Sequence, residues 1–313
     1  MIGKFWTAIC RAVTLGVTPR PSALRPPFYE DLVMSIVASP PDAWCLSGFG
    51  DEIDPDPHVQ CAVLLAIGAR HIEVRSAWGV NVVDLSDTQV KELASIILGA
   101  GLRLSAVASP IGKCEITDPR EEGRLARVIE VAQALGAPFI RVFSFWSHGE
   151  PSAIRPEVFR RMRDWAAMAE SAGLVLVHEN EKEIFGDVPG RVLEIVEAVD
   201  SPALKLAWDS ANFVQVGVRP HTDAFEMLAQ HIAYFQVKDA RIVDGAIVPA
   251  GEGDGQLADT IAALRSRGYV GFASLEPHLA DAHALGGFSG PAGFGDAARA
   301  FRTLTDASGV VLQ

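Results

Sequence analysis

Four short stretches of this chain run from apolar into polar residues: His178-Glu179-Asn180-Glu181, Trp208-Asp209-Ser210, Gln236-Val237-Lys238-Asp239 and Glu276-Pro277-His278. If each ends a strand, alternation lets Glu179, Asp209, Gln236 and Glu276 all point to one side. Carboxylates gathered at one spot repel one another and raise their own pKa values. A divalent cation removes that repulsion. The donors are all oxygen, with Gln236 offering a neutral amide carbonyl, and such a set suits Mn2+ or Mg2+ better than an ion that prefers thiolate or imidazole. The plainer alternative is that these acids cap the following helices or pair with Lys and Arg at the strand ends. Four of them on adjacent strands favour the metal.

Other residues near these strand ends have candidate roles. Lys238 lies two residues past Gln236, hence on the same side, and could hold an oxyanion or pair with Asp239 or Glu276. His278, two past Glu276, could support a metal ligand, and Trp78 could stack on a sugar face or pack at the rim. Lys113 is either an anion contact or a solvated loop lysine. Arg141 falls mid-strand, where a buried charge needs a partner, and Glu73 or Glu179 could supply it. By alternation His178 points away from the shared side and reads as a core histidine; His71 reads as structural. The run 251–255 (GEGDG) has the glycines of a phosphate loop but not its Lys-Ser/Thr, and is expected to be a turn that brings Glu252 near the site.

The elements that must position these side chains alternate regularly. Apolar runs at 43–50, 71–75, 102–108, 139–145, 174–179, 203–209, 234–239 and 272–276 predict strands. Amphipathic stretches between them predict helices at 59–67, from Ser86 to Gly101, and at 125–135, 156–172, 188–199, 222–230, 257–267 and 294–305. Ser86 is a natural N-cap, Pro156 a natural first helical residue, and Gly68, Gly101, Gly136 and Gly173 natural stops. Mostly apolar strands separated by helices indicate a parallel sheet covered by helices. Eight such pairs, without a G-x-G-x-x-G turn after the first strand, predict a single-domain (β/α)8 TIM barrel over residues 42–313 rather than an open doubly wound sheet. Active sites of such barrels lie at the carboxyl ends of the strands, where the polar residues fall.

The chain has 313 residues, 49% of them hydrophobic, enough for a large core. Its 39 acids and 27 bases leave a net charge of −12, which disfavours nucleic acid and anionic membranes as partners. Cys10, Cys45, Cys61 and Cys114 follow no disulfide or zinc spacing, and no apolar run is of bilayer length, so a cytoplasmic location is expected. Residues 1–33 carry Lys4, Arg11, Arg20 and Arg25 and no acid before Glu30. Residues 1–41 are read as a loosely structured extension, or as the result of a start placed upstream of Met34, rather than as a targeting peptide.

Together these residues resemble the xylose-isomerase-like barrel superfamily, which includes inosose dehydratases, tagatose epimerases and hydroxypyruvate isomerases. The resemblance covers about residues 45–307. It rests on Glu73-Val74-Arg75 with Trp78-Gly79, Ser109-Pro110-Ile111-Gly112-Lys113, His178-Glu179-Asn180-Glu181, Asp209-Ser210-Ala211-Asn212-Phe213, Val237-Lys238-Asp239, the 251–255 run and Ser274-Leu275-Glu276-Pro277-His278. It implies metal ligation by the acids of strands five, six and eight and by a strand-seven His, which here is Gln236, a weaker donor. It also implies that Asn212 contacts substrate. The mechanism implied is metal-assisted removal of a proton next to a carbonyl, with an enediolate formed and Glu179 and Glu276 as the catalytic carboxylates. Return of the proton makes the protein a sugar isomerase or epimerase; loss of a β-oxygen makes it a lyase or dehydratase on a keto-sugar, keto-glycoside or inosose. The partner implied is a small sugar or keto-sugar, and a homo-oligomer is compatible with the sequence. A non-catalytic sugar-binding barrel draws support from Gln236 alone. A DNA-repair endonuclease on this barrel would need a basic groove and a histidine-rich mouth, and the chain has only eight histidines.

Overall fold

A computed structural model describes residues 43–279 and 289–313; the extension expected over residues 1–41 lies outside them. Eight parallel strands form the barrel: β1 (Ala43–Gly48), β2 (His71–Val74), β3 (Arg103–Ala108), β4 (Phe139–Val142), β5 (Val175–Glu179), β6 (Leu204–Asp209), β7 (Ile232–Val237) and β8 (Phe272–Leu275). Each pairs in parallel with the next from β2 to β8, and β8 pairs with β1. The seam between β1 and β2 is closed by a single bridge, Phe49 to Glu73. A short strand β9 (Val311–Leu312) lies along the start of β1, on the side away from β8.

The strands read as near-continuous apolar runs because both faces are covered. Trp44 and Leu46 of β1 pack outward into the main core beneath the helices. Cys45 points inward and packs with Ala106, Val177, Ala207, Tyr234 and Phe272, which plug the barrel. Above this plug the interior turns polar. Ser47 and Ser105 hydroxyls lie 2.7 Å apart, Ser105 and Tyr234 hydroxyls 2.8 Å, and Tyr234 donates to Glu73 Oε2 at 2.8 Å. All four are buried.

The helices are α1 (Pro57–Ala66), α2 (Asp87–Gly99), α3 (Glu121–Leu135), α4 (Pro151–Ser171), α5 (Pro189–Val199), α6 (Ser210–Gln215), α7 (Leu257–Ser266) and α8 (Gly290–Ala307). Ser86 caps α2 as expected, in a reciprocal box with Gln89. Gly68, Gly101, Gly136 and Gly173 all stand at helix ends with positive φ. Two expectations fail. Pro151, not Pro156, fills the first position of α4, so Pro156 lies inside the helix one turn on. The helix expected at 222–230 is a π-helical turn at Pro220–Phe225, an α turn at Glu226–Leu228 and a 3-10 turn at Ala229–His231; Asp223 there accepts from the backbone and side chain of Arg219.

Two small antiparallel hairpins, Ser76–Ala77 with Val80–Asn81 and Asp239–Ala240 with Ile247–Val248, rise from the ends of β2 and β7. Among the described residues no helix is long and apolar enough to cross a membrane. Cys45, Cys61 and Cys114 are buried free thiols.

Candidate active site

Pairing register carries the four predicted ligands to one place. Asp209 stands opposite Gln236 across β6 and β7, Ser274 of β8 stands opposite Gln236, and Glu179 closes the row from β5 beside Ala207. Glu179, Asp209, Gln236 and Glu276 are all buried at the carboxyl ends of their strands. Among the described residues, Glu179, Asp209 and Glu276 each offer an oxygen, and these atoms lie within 4.8 Å of one another. Gln236 donates from Nε2 to Glu179 Oε2 at 3.1 Å, which leaves its own Oε1 buried without a partner. An orphaned buried carbonyl is costly, and a half-turn of the amide presents that oxygen to the same space. The donor set therefore fits one hard divalent cation.

Each acid is fixed by neighbours. Asp209 is also the N-cap of α6: its Oδ1 accepts the backbone N–H of Asn212 at 2.9 Å, so capping uses one oxygen and leaves Oδ2 for the site. Asn180 clamps the Asp209 backbone from both sides, donating to its carbonyl and accepting from its N–H. Asn212, predicted as a substrate contact, spends both amide hydrogens on Glu179 Oε1 and the Asn180 carbonyl, each at 2.9 Å. Its structural place is behind Glu179.

Three cations face these acids. Arg141 Nη1 lies 3.0 Å from Glu179 Oε2, the scaffold pairing expected of it. Lys238 Nζ lies 2.8 Å from Asp209 Oδ2 and 3.0 Å from Glu276 Oε2. Arg75 reaches Glu276 Oε1 at 2.8 Å while also holding Asp51 at 2.8 Å and Glu52 at 2.9 Å. The Phe49 ring sits between the Arg75 and Arg141 guanidiniums, 5.0 and 5.4 Å from its centroid. Burial raises Asp209 to about 7, against Lys238 and with the help of Glu179 and Glu276. Burial works the same way on Glu276, but Lys238, His278, Arg75 and Arg141 outweigh it and hold that carboxyl below the ordinary range. Burial would lower Lys238, yet Asp209, Glu276, Glu179 and Glu181 keep it firmly protonated.

His278 Nε2 is 2.9 Å from Glu52 Oε1 and 3.7 Å from Glu276 Oε1. Lys113 pairs with Glu181 at 2.8 Å and lies over the Phe143 ring at 4.3 Å. Its loop presses on the end of β4 because Gly112, at φ +86°, lets the Phe143 carbonyl approach where a Cβ would stand. Trp78 occupies the two-residue turn of the first hairpin with Gly79, both at positive φ, and packs partly buried against the core.

Two readings of the loop after β7 need correction. The 251–255 glycines do not carry Glu252 inward; that side chain is exposed. The backbone N–H groups of Gly251, Gly253 and Gly255, with that of Ala240, instead wrap the Asp239 carboxylate. Asp239 is consumed by this nest, which is why Lys238 pairs with Asp209 and Glu276 rather than with Asp239.

Sequence reasoning gave no role to Asp51, Glu52 and Glu181, and quoted Arg75 without one. All four directly follow a strand or lie within a few residues of its end, so the criterion that found Glu179 and Glu276, applied to β1 and β2, would have found Arg75 and Glu52.

Comparison with known proteins agrees with the barrel fold. A family model described as xylose isomerase-like TIM barrel matches residues 61–304. A 2-epi-5-epi-valiolone 7-phosphate 2-epimerase from an Actinoplanes species is 32% identical over 142 residues, 45% of this chain and 51% of that protein. The match thus spans about half the length of that curated relative. A xylose isomerase-like TIM barrel protein from Mycobacterium smegmatis, solved in complex with magnesium, superposes with a TM-score of 0.64 at 19% identity, covering 86% of this chain and 99% of that one. The probable 3-DHS dehydratase of Bacillus anthracis superposes at 0.66 and 17% identity, over 82% and 98% of the two chains.

Proposed function

This chain belongs to the xylose isomerase-like TIM barrel family, and on that premise we propose that it is a divalent-metal-dependent epimerase or isomerase of a sugar or cyclic keto-polyol. The observation that carries the reading is the convergence of Glu179, Asp209 and Glu276 within 4.8 Å, beside the orphaned Oε1 of Gln236. These four residues would hold Mn2+ or Mg2+. When bound there, the ion polarises the substrate carbonyl and makes the adjacent C–H acidic.

The chain's own groups do the rest. Glu179, oriented by Asn212 and Arg141, accepts the proton from one face of the reacting carbon. Glu276, which must enter the reaction carrying a proton of its own, delivers it to the other face, and solvent exchange then resets both carboxyls. Lys238 and Arg75 steady the negative charge that develops between them. The buried Phe49 and Phe143 rings keep water from the guanidiniums they touch.

One observation favours elimination as a second reading. Glu276 has three cations around it, Arg75 at 2.8 Å, Lys238 at 3.0 Å and Arg141 at 3.9 Å, with His278 Nε2 at 3.7 Å. A carboxylate so heavily paired is a poor base, which leaves Glu179 to act alone, taking the C–H proton and passing it to the departing β-hydroxyl, which leaves as water. The likeness of the fold to a dehydratase is compatible with that route.

The test is exchange in D2O. Protein stripped of metal and protein reloaded with Mn2+ or Mg2+ are incubated with keto-hexoses, inososes and valiolone-type cyclitols, free and phosphorylated, and followed by NMR. Metal-dependent deuterium incorporation next to the carbonyl is expected, with epimer and alkene products telling the two routes apart. Full turnover after metal removal, or no exchange in any keto-polyol, refutes the reading.

A further inference from the structure

We propose that the Lys238 ammonium and a divalent cation are alternative occupants of one carboxylate cage, so that metal loading displaces Lys238 from Asp209 and Glu276. The inference rests on the metal reading above and adds a moving part to it. Lys238 Nζ takes Asp209 Oδ2 and Glu276 Oε2, and the same two carboxylates belong to the trio able to hold a metal. A hard divalent ion binds oxygen at about 2.0–2.1 Å. An ammonium still hydrogen-bonded to those oxygens would then lie within roughly 4 Å of it, in a buried site where like charges are poorly screened. Both cannot stay.

Of the three cations at the cage, Lys238 is the one able to leave. Arg75 is pinned through three nitrogens to Asp51, Glu52 and Glu276. Arg141 donates to the Ala108 carbonyl at 3.2 Å as well as to Glu179, and its guanidinium is stacked on Phe49 and Phe143. Lys238 reaches the cage on a flexible four-carbon stem.

Lys238 thus stands in for the metal electrostatically, which stabilises the cage without an ion and weakens its affinity for one. The first test is Lys238→Met, which keeps the length of the side chain and removes its charge. Mg2+ binding is followed by calorimetry in both proteins, with thermal melts in each. The variant is expected to bind Mg2+ at least tenfold more tightly than the wild type, to melt lower without metal, and to gain more from adding it. Equal or weaker affinity in the variant overturns the exchange. The second test needs no variant: acetic anhydride labelling of the wild-type protein, read by peptide mass spectrometry. Acetylation of Lys238 is expected to quicken several-fold under saturating Mg2+; an unchanged rate overturns the proposal. If neither protein binds Mg2+ or Mn2+, the metal reading fails and this proposal with it, whereas equal binding by both removes the proposal alone.

Discussion

Glu73 lies on β2 inside the barrel, below the candidate site, with its side chain fully buried. It accepts the Tyr234 hydroxyl at 2.8 Å, and its other oxygen, near Ser274, has no resolved partner. Burial is the dominant influence and pushes its pKa from 4.5 to about 8; Arg141, Ser274 and Tyr234 pull the other way without prevailing. The folded protein therefore holds Glu73 as a neutral acid at pH 7, whereas the unfolded chain ionises it. Because the folded value is the higher one, stability is greatest below pH 4.5 as far as this group is concerned. It is lost as pH rises from there, and the loss levels off above about 8. At about 1.36 kcal/mol per unit, the full window is worth roughly 3–5 kcal/mol, most of it already lost by pH 7.

Glu73→Gln removes that proton linkage while keeping the shape and an acceptor for Tyr234, and its amide can donate toward Ser274 Oγ, itself buried and unpartnered. Urea unfolding of the wild type and variant from pH 5 to pH 9 checks the argument. The variant is expected to gain on the wild type steadily across the range, by about 2–4 kcal/mol between the ends, with no further gain above about pH 8.5. Parallel stability curves would refute it, since they would mean that Glu73 binds its proton equally in both states.

Asn212→Ala strips two hydrogen bonds from Glu179 and the Asn180 carbonyl; a loss of about 1–3 kcal/mol in thermal melts and a larger proportional loss of turnover than of substrate binding are expected. Gly253→Ala would drive a methyl into Asp239 Oδ1 and the Ala240 carbonyl, so a melt lowered by about 1–3 kcal/mol is expected, and an unchanged melt would show that the loop gives way. In a two-base epimerase, Glu179→Gln and Glu276→Gln each abolish net epimerisation, and one of them still exchanges deuterium from one epimer. In a one-base elimination Glu179→Gln alone stops both exchange and product, so the pair of variants separates the two routes by NMR in D2O.

The barrel was legible because its signals are local. Apolar runs, the Ser86 cap and glycine stops each act within a few residues, and eight repeats of the pattern leave few alternatives. Strand ends were read two or three residues long at β1, β4 and β7, since the residues that follow, Phe49 and Gly50, Phe143 to Phe145, and Lys238 and Asp239, are buried like the strands themselves. Pro156 misled because a proline marks a helix start only when no earlier one, here Pro151, already occupies it. The hairpin after β7 and the 251–255 nest escaped because their logic depends on a buried carboxylate, Asp239, that no spacing rule announces.

The site shows the same division more sharply. Its acids could be found because alternation on adjacent strands is a property of each strand alone. What they do with one another could not, since Arg75 meets Glu276 across 201 positions of sequence and Tyr234 meets Glu73 across 161. The consequence is chemical. Read as four isolated ligands, Glu179, Asp209, Gln236 and Glu276 make a simple oxygen cage. Placed among Arg75, Arg141 and Lys238, the same residues form a nearly charge-balanced cluster. A metal must compete for its oxygens there, and Glu179, held by two neutral amides and one arginine, is a freer base than Glu276 with its three cationic neighbours. The choice between epimerase and eliminase thus turns on pairings made by the fold, and the two glutamate-to-glutamine variants interrogate that asymmetry directly.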